Sequence, residues 1–136
     1  MANLTVTESL VTPDNDSQTY RNYEVGEAIT AGQAVAQNAA GLLIKAIADT
    51  ADNADVIGIA MTSATGTGEY ITVAERGTIV TGATMVAGQY YVLSATAGGI
   101  APFSDLTTGD YATYVYVAES TTTARILRYE TGIQVA

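Results

Sequence analysis

Two stretches of the sequence contain residue types that could bind an ion or a ligand, and the first is acidic. Asp49, Asp52 and Asp55 recur at every third position, and carboxylate oxygens are ligands that Ca²⁺ prefers. An EF-hand loop needs ligands at alternate positions and a distal Glu, which this spacing does not provide. We therefore expect a solvent-exposed loop, and the pattern leaves open whether it holds a cation.

The second stretch, Thr65-Gly-Thr-Gly-Glu69, has the glycine content of a phosphate-binding loop. It lacks the lysine of a P-loop, and no helix pattern follows it whose N-terminus could bind an anion. It lies instead between two β-prone runs, at residues 56–60 and 70–73. Such runs joined by a glycine-rich turn are typical of a β-hairpin, so we predict a turn.

The residues that most often perform catalysis are missing from the sequence. The chain has no Cys and no His, which excludes a thiol nucleophile, a zinc-thiolate site and a histidine general base. No serine lies in a Gly-x-Ser-x-Gly nucleophile elbow. These absences argue against an enzyme but leave carboxylate or serine chemistry open. We expect a protein that is not an enzyme, with no catalytic residues, cofactor or metal.

Composition indicates one folded domain with an acidic surface. Of 136 residues, 48% are hydrophobic, and 5 basic residues stand against 14 acidic ones, for a net charge of −9. This balance argues against nucleic acid as a partner, because no basic stripe can neutralise phosphates. No apolar run approaches the roughly 20 residues of a membrane-spanning helix, and the first residues show no secretory leader. We expect assembly in a cytoplasm and no membrane partner.

An internal repeat organises the chain. Ala31-Gly32-Gln33 recurs as Ala87-Gly88-Gln89, roughly 56 residues later by self-comparison. Two further matches follow in the same order: residues 56–60 with 114–118, and residues 71–77 with 126–132. Both copies consist of short β-prone runs bounded by turn residues, which predicts an all-β chain.

Two related β units, at about residues 25–77 and 80–133, are predicted to form a single domain over residues 20–136. One unit is too small to bury its apolar face alone, so we expect the two to close into a barrel or a sandwich. The second unit carries large aromatics where the first has mostly small or aliphatic residues: Tyr90, Tyr91, Tyr111, Tyr114, Tyr116 and Tyr129. Large side chains against small ones are what complementary packing of two halves requires.

Residues 1–19 are predicted to form an extended N-terminal arm and loop. The segment from Asn3 to Val11 is partly apolar, and the turn-forming residues 12–17 separate it from the rest. Two interpretations stay open: a first strand of the domain, or an arm that adds a strand to a partner. The candidate binding residues of the arm are Leu4, Val6, Leu10 and Val11.

The few arginines and several tyrosines are candidates for an interface, where both residue types are enriched. Ion pairs could form across the two related hairpins, between Glu75 and Arg76 of the first and Arg125, Arg128 and Glu130 of the second. The full set of candidate interface residues is Tyr20, Tyr23, Arg76, Arg125, Arg128 and Tyr129.

Five segments, taken in order, suggest a family. They are Gly26–Val35, Val56–Thr62, Tyr70–Gly77, Ala87–Pro102 and Ser104–Tyr111. Their sequence, order and spacing resemble the capsid cement, or head decoration, proteins of tailed bacteriophages, and the resemblance spans residues 24–135.

The resemblance implies a β-tulip-like domain that forms a homotrimer and does no chemistry. Such a protein would bind the outer surface of the expanded capsid where copies of the major capsid protein meet, and would reinforce the shell. In lambda-type decoration proteins the N-terminal segment contributes to attachment, which points here to the predicted arm. Two alternatives remain: another virion component, such as a tail or fibre β domain, or a carbohydrate-binding β domain with an exposed tyrosine platform.

Overall fold

The computed structural model describes residues 3–13, 19–49, 54–106 and 108–134. Strands account for 46% of the residues and helix for 5%, which confirms the all-β prediction. The helical residues form two 3₁₀ turns, Glu8–Leu10 and Phe103–Asp105. Within the described residues, no helix has the length and apolar character needed to cross a membrane.

In the described part of the chain, eleven strands form two antiparallel sheets. In chain order they are β1 Thr12–Pro13, β2 Thr19–Glu24, β3 Ala34–Gln37, β4 Leu43–Lys45, β5 Gly58–Ala60, β6 Tyr70–Arg76, β7 Thr78–Val80, β8 Tyr90–Leu93, β9 Ile100–Pro102, β10 Tyr111–Ala118 and β11 Thr123–Gln134. The first sheet has the order β2-β6-β5-β3-β4, and the second has the order β1-β7-β11-β10-β8-β9. Neither sheet closes on itself, so the architecture is a sandwich and not a barrel.

Each sheet is one copy of the internal repeat. Apart from β1, the second sheet repeats the strand order of the first, with β7 to β11 in the places of β2 to β6. The copies therefore begin with β2 and with β7. The predicted units, which began at about residues 25 and 80, left out β2 and most of β7. The added strand β1 pairs with β7 through Thr12 and Val80 and extends the second sheet at its edge.

The turn that precedes the second strand of each copy is the best-preserved element of the repeat. The N–H of Gln33 donates to the carbonyl of Thr30 at 3.1 Å, and the N–H of Gln89 donates to that of Val86 at 3.1 Å. The third residue of the first turn, Gly32, has a φ of 95°, a conformation that glycine adopts without the steric penalty of a side chain. These bonds explain why the Ala-Gly-Gln triplet recurs.

The last strands of the two copies are aligned differently in the structure than in the sequence comparison. The N–H of Met61 donates to the carbonyl of Thr72, and the N–H of Glu119 donates to that of Thr123. Thr72 is thus the counterpart of Thr123, whereas the sequence match placed it over Leu127. The predicted overlay of residues 71–77 on 126–132 was wrong because the two hairpins have turns of different length.

The main core lies between the two sheets, where small and large residues meet. The first sheet and its loops contribute many alanines: Ala34, Ala36, Ala46, Ala48, Ala54 and Ala74. The second sheet contributes larger residues: Tyr91, Leu93, Ile100, Tyr116 and Ile126. The rings of Tyr91 and Tyr116 lie 6.0 Å apart, centroid to centroid, and such aromatic pairs add about 0.5–1.5 kcal/mol beyond their burial. The expected packing of large on small residues is present for Tyr91, Tyr111 and Tyr116, but it was wrong for the other three tyrosines, which lie on the opposite face of the second sheet: Tyr90, Tyr114 and Tyr129.

Equivalent faces of the two sheets point in the same direction. Ala34, paired with Ile59, is the counterpart of Tyr90, paired with Val117, because each follows the conserved turn. Ala34 is fully buried between the sheets, whereas the side chain of Tyr90 is 52% exposed. The two copies are therefore stacked head to tail, and only the first has this face covered by the other sheet.

The opposite face of the first sheet has a second, smaller core. Val35 and Leu43 of this face are buried by Val25, Ile29 and Ala64, which come from the loops before β3 and after β5. An isolated antiparallel bridge joins Ile29 to Ala64, and a parallel bridge joins Val25 to Leu43. The first sheet is thereby closed on its outer side by its own loops.

Replacing Gly58 by Ala should destabilise the fold, because a Cβ at this position would lie 2.3 Å from the carbonyl oxygen of Ala74 and 2.6 Å from Val73 Cγ1. We expect a loss of about 1–3 kcal/mol in the free energy of unfolding, measured by urea denaturation. Gly66→Ala is the matched control, since a Cβ there meets no atom within 4 Å, and it should stay within about 0.5 kcal/mol of wild type. Equal losses in both variants would contradict the packing described.

Candidate functional site

An open cleft lined by aromatic rings lies on the outer face of the second sheet. Its volume is about 790 Å³, within the roughly 300–1,000 Å³ of typical ligand pockets. We call it the aromatic cleft, and its lining residues are Gln89, Tyr90, Phe103, Ser104, Tyr114, Leu127 and Tyr129. None of these residues is Asp, Glu, Lys or Arg, although the chain carries a net charge of −9.

The ring of Tyr114 is the centre of the cleft. The rings of Phe103 and Tyr129 lie nearly parallel to it, with centroids at 6.3 Å and 6.2 Å. Tyr90 meets it edge-on at 5.9 Å. Below them Val92, which pairs with Tyr114 across the strands, is fully buried. The cleft can therefore stack against flat or apolar groups and offer tyrosine hydroxyls for hydrogen bonds.

An irregularity in β10 places Tyr114 on this face. Tyr114 pairs with Val92 of β8, but two residues later Tyr116 pairs with the adjacent Tyr91, so β10 carries one residue more than β8 between these pairs. A bulge of this kind reverses the alternation of side chains, which is why Tyr114 lies in the cleft while Tyr116 is buried in the main core. The strand on the other side, β11, is irregular at the same place, where Arg128 has a φ of 51°.

The cleft is held to the other sheet through Arg128. Its guanidinium Nη1 donates to the backbone carbonyl of Ile57 at 3.0 Å, so this predicted interface residue links the two copies within one chain. Arg125, two residues before Leu127, is exposed on β11. Tyr129, the third candidate on this strand, is 62% exposed and lines the cleft.

The other three interface candidates lie on the first sheet. Tyr20 and Tyr23 are in β2, and Arg76 ends β6, the strand that pairs with β2. The hydroxyl of Tyr23 donates to Glu75 at 2.5 Å, and Arg21 approaches the same carboxylate at 3.3 Å. Partial burial, followed by the bond to Glu75, raises the pKa of Tyr23 above its usual 10.0. The six candidates thus form two groups, one on each sheet, and their role at an interface stays a prediction.

The described part of the N-terminal segment lies along the domain. The N–H of Leu4 donates to the carbonyl of Ile100 at 2.8 Å, and the Leu4 side chain packs against the main core. Val6 lies so close to Gly32 that a Cβ there would meet its Cγ1 at 2.5 Å, and Val11 is buried. Leu4 and Val6 are half-buried, and Leu10 is 57% exposed. Of the four arm candidates, Leu10 is therefore the most accessible to a partner without the segment moving.

The glycine-rich stretch forms a turn that binds its own carboxylate. The Glu69 carboxylate accepts hydrogen bonds from the Thr65 hydroxyl, from the Thr65 N–H at 3.0 Å and from the Gly66 N–H at 3.1 Å. The hydrogen bond from the Thr65 hydroxyl has the largest effect, and together the three bonds lower the pKa of Glu69 below its usual 4.5. Donors that could hold a phosphate are already engaged, as expected for a hairpin turn.

The acidic stretch shows no ion site in its described part. Asp49 and Asp55 are exposed, whereas Asp52 lies outside the described residues. Across residues 3–13, 19–49, 54–106 and 108–134, no group of three or more His, Cys, Asp or Glu side chains could hold a metal ion. Cation binding by the three aspartates together stays open.

Sequence reasoning identified the tyrosines of the second copy but not the aromatic cleft. Phe103 and Leu127 were not singled out, because nothing in the pattern distinguishes them from core residues. One signal was present: Tyr90 and Tyr91 are adjacent in a strand and must point to opposite faces. At least one large aromatic therefore had to lie outside the core between the sheets.

Glu69→Gln should lower the free energy of unfolding at pH 7, because a neutral amide accepts the three turn hydrogen bonds more weakly. The folded pKa of Glu69 is depressed, so its contribution is present above the usual 4.5 and is lost as the pH falls through the folded value. The difference between wild type and variant should shrink between about pH 5 and pH 3. A difference that stays constant over this range, in urea denaturation, would contradict the role given to the carboxylate.

In comparisons with known proteins, the chain matches no protein-family model and no curated protein sequence.

Proposed function

We propose that this chain is a structural virion protein that decorates and stabilises the expanded capsid of a tailed bacteriophage. As a homotrimer it binds the outer surface of the lattice of major capsid protein, and it catalyses no reaction. The observation that carries the proposal is the order and spacing of the five segments that resemble decoration proteins. These segments contain β5 and β6 of the first sheet, β8 and β9 of the second, and the repeated turns before β3 and β8, so the resemblance concerns part of the framework of each sheet.

The surface chemistry supports a role in contact with other proteins. The exposed large apolar side chains include Tyr90, Phe103 and Tyr129 in one cleft without charged lining residues. Contiguous exposed aromatics of this kind mark interaction sites. An adhesive protein held as a trimer gains strongly from avidity, because three weak contacts linked rigidly bind far more tightly than one.

A carbohydrate-binding function is the second candidate, and the aromatic cleft favours it. Near-parallel rings with hydroxyl groups, together with the amide of Gln89 and the hydroxyl of Ser104, could stack on a sugar and hydrogen-bond to it. The same groups serve equally well in a protein contact.

Purified protein should co-sediment with expanded heads of the phage that encodes it and should raise the temperature at which those heads are disrupted. Failure to sediment with expanded heads would end the proposal. Leu10→Ser tests the N-terminal segment, because Leu10 is exposed and its loss should weaken head binding without changing the Tm of the isolated protein. Val11→Ser is the control that should lower the Tm, since Val11 is buried.

The carbohydrate alternative is tested on a glycan array with wild type and Tyr90→Ser. The decoration function predicts no saturable glycan binding by either protein. Saturable binding by wild type that is reduced at least about tenfold in Tyr90→Ser would favour the second candidate, because stacking on a hot-spot aromatic is worth about that much.

A further inference from the structure

The stacking of the two copies shows what kind of surface the aromatic cleft occupies. The face of the first sheet that contains Ala34 and Ala36 is fully buried because the second sheet packs on it. The counterparts of these residues, Tyr90 and Val92, belong to the outer face of the second sheet. In the first copy, this face is thus an interface with another copy of the same unit.

The other end of the stack is already closed. The outer face of the first sheet is covered by Val25, Ile29 and Ala64 from its own loops. On the second sheet, Tyr90, Phe103 and Tyr129 remain between 47% and 62% exposed. Repeat proteins whose copies stack in one direction need a cap at each end to stay soluble as single chains, and here one end has none.

Charge indicates which partner fits the open end. Two copies of a chain with a net charge of −9 repel each other, so a contact that brings no carboxylates together is favoured. The lining of the aromatic cleft contains no acidic side chain. A basic partner would instead be attracted to the acidic residues elsewhere on the surface. A second copy of this chain therefore fits the cleft better than a positively charged partner.

The available area allows association of moderate strength. A large aromatic side chain buries about 150–250 Å² when fully covered. At the observed exposures, the three exposed rings of the cleft would bury roughly 240–400 Å². This is about a third to a half of the roughly 800 Å² per partner in a standard interface, so surrounding residues must supply the remainder.

We infer that the outer face of the second sheet binds a second copy of this chain through the aromatic cleft. This contact covers the outer face of the second sheet. The equivalent face of the first sheet is covered within one chain by the second sheet. The inference rests on the proposed function only for its setting, a homotrimer on the capsid, and its test requires no capsids.

Sedimentation velocity of the full chain over a range of concentrations tests the inference. Wild type should sediment as an oligomer of the 14.0 kDa chain. Tyr90→Ser combined with Tyr129→Ser should raise the dissociation constant at least about tenfold. Tyr129→Phe should leave it nearly unchanged, because the apolar contact is kept. Circular dichroism should match wild type in all variants, since both side chains are exposed, and the Tm of the double variant should fall below that of wild type only at concentrations at which wild type associates.

Tyr70→Ser is the matched control, because Tyr70 is 67% exposed but lies on the first sheet. It should associate like wild type. A monomeric wild type at every concentration, or equal weakening by Tyr70→Ser and by the cleft variant, would overturn the inference.

The outcomes for the two proposals are separable. A monomer that binds expanded heads through the cleft would overturn self-association and leave the decoration function standing. A monomer that binds glycans there would also overturn self-association. An oligomer that fails to bind heads would overturn the decoration function and leave self-association standing.

Discussion

The packing of a small-residue face on a face of large residues is the constraint on which the rest of this structure depends. A single five-stranded copy has two faces to cover and too few residues to cover both. Alanines on the first sheet allow the second sheet, with Tyr91 and Tyr116, to approach closely and fill the space at the density of a protein interior. The close packing of the two copies therefore depends on the difference in side-chain size between the faces that meet.

Head-to-tail stacking follows from this divergence and makes the two ends of the molecule different. In a two-fold arrangement both outer faces would have been equivalent, and both would have been covered or open together. Here the first sheet is closed by its loops, and the second presents to solvent the rings around the half-buried Tyr114. A cleft of neutral, aromatic character on a strongly acidic chain is suited to adhesion, because contact there does not bring carboxylates together.

The sequence allowed the β content, the duplication and the hairpins to be predicted, because strand-forming runs and a recurring Ala-Gly-Gln turn are local signals. The fate of individual tyrosines could not be predicted. Tyr114 and Tyr116 are two residues apart and should share a face, but a bulge in β10 opposite β8 separates them, and a bulge has no signature in the sequence of that strand. The register of the last strand was missed for a related reason, since turn length sets the register and the two turns differ. For the N-terminal segment, the apolar positions were recognised, but their partners Gly32 and Ile100 are distant in sequence.

The difference between the two hairpin turns also follows from the stacking. In the second copy, the N–H of Met85 bonds to Thr121 in a short turn, and the face beside it is covered by the first sheet. In the first copy no further sheet is present, and the longer turn brings Ala64 against Ile29 to cover the equivalent face. Glycines and the Glu69 carboxylate stabilise this longer turn. The glycine-rich stretch is therefore a means of closing one end of the stack, and the surface left for binding is at the other end.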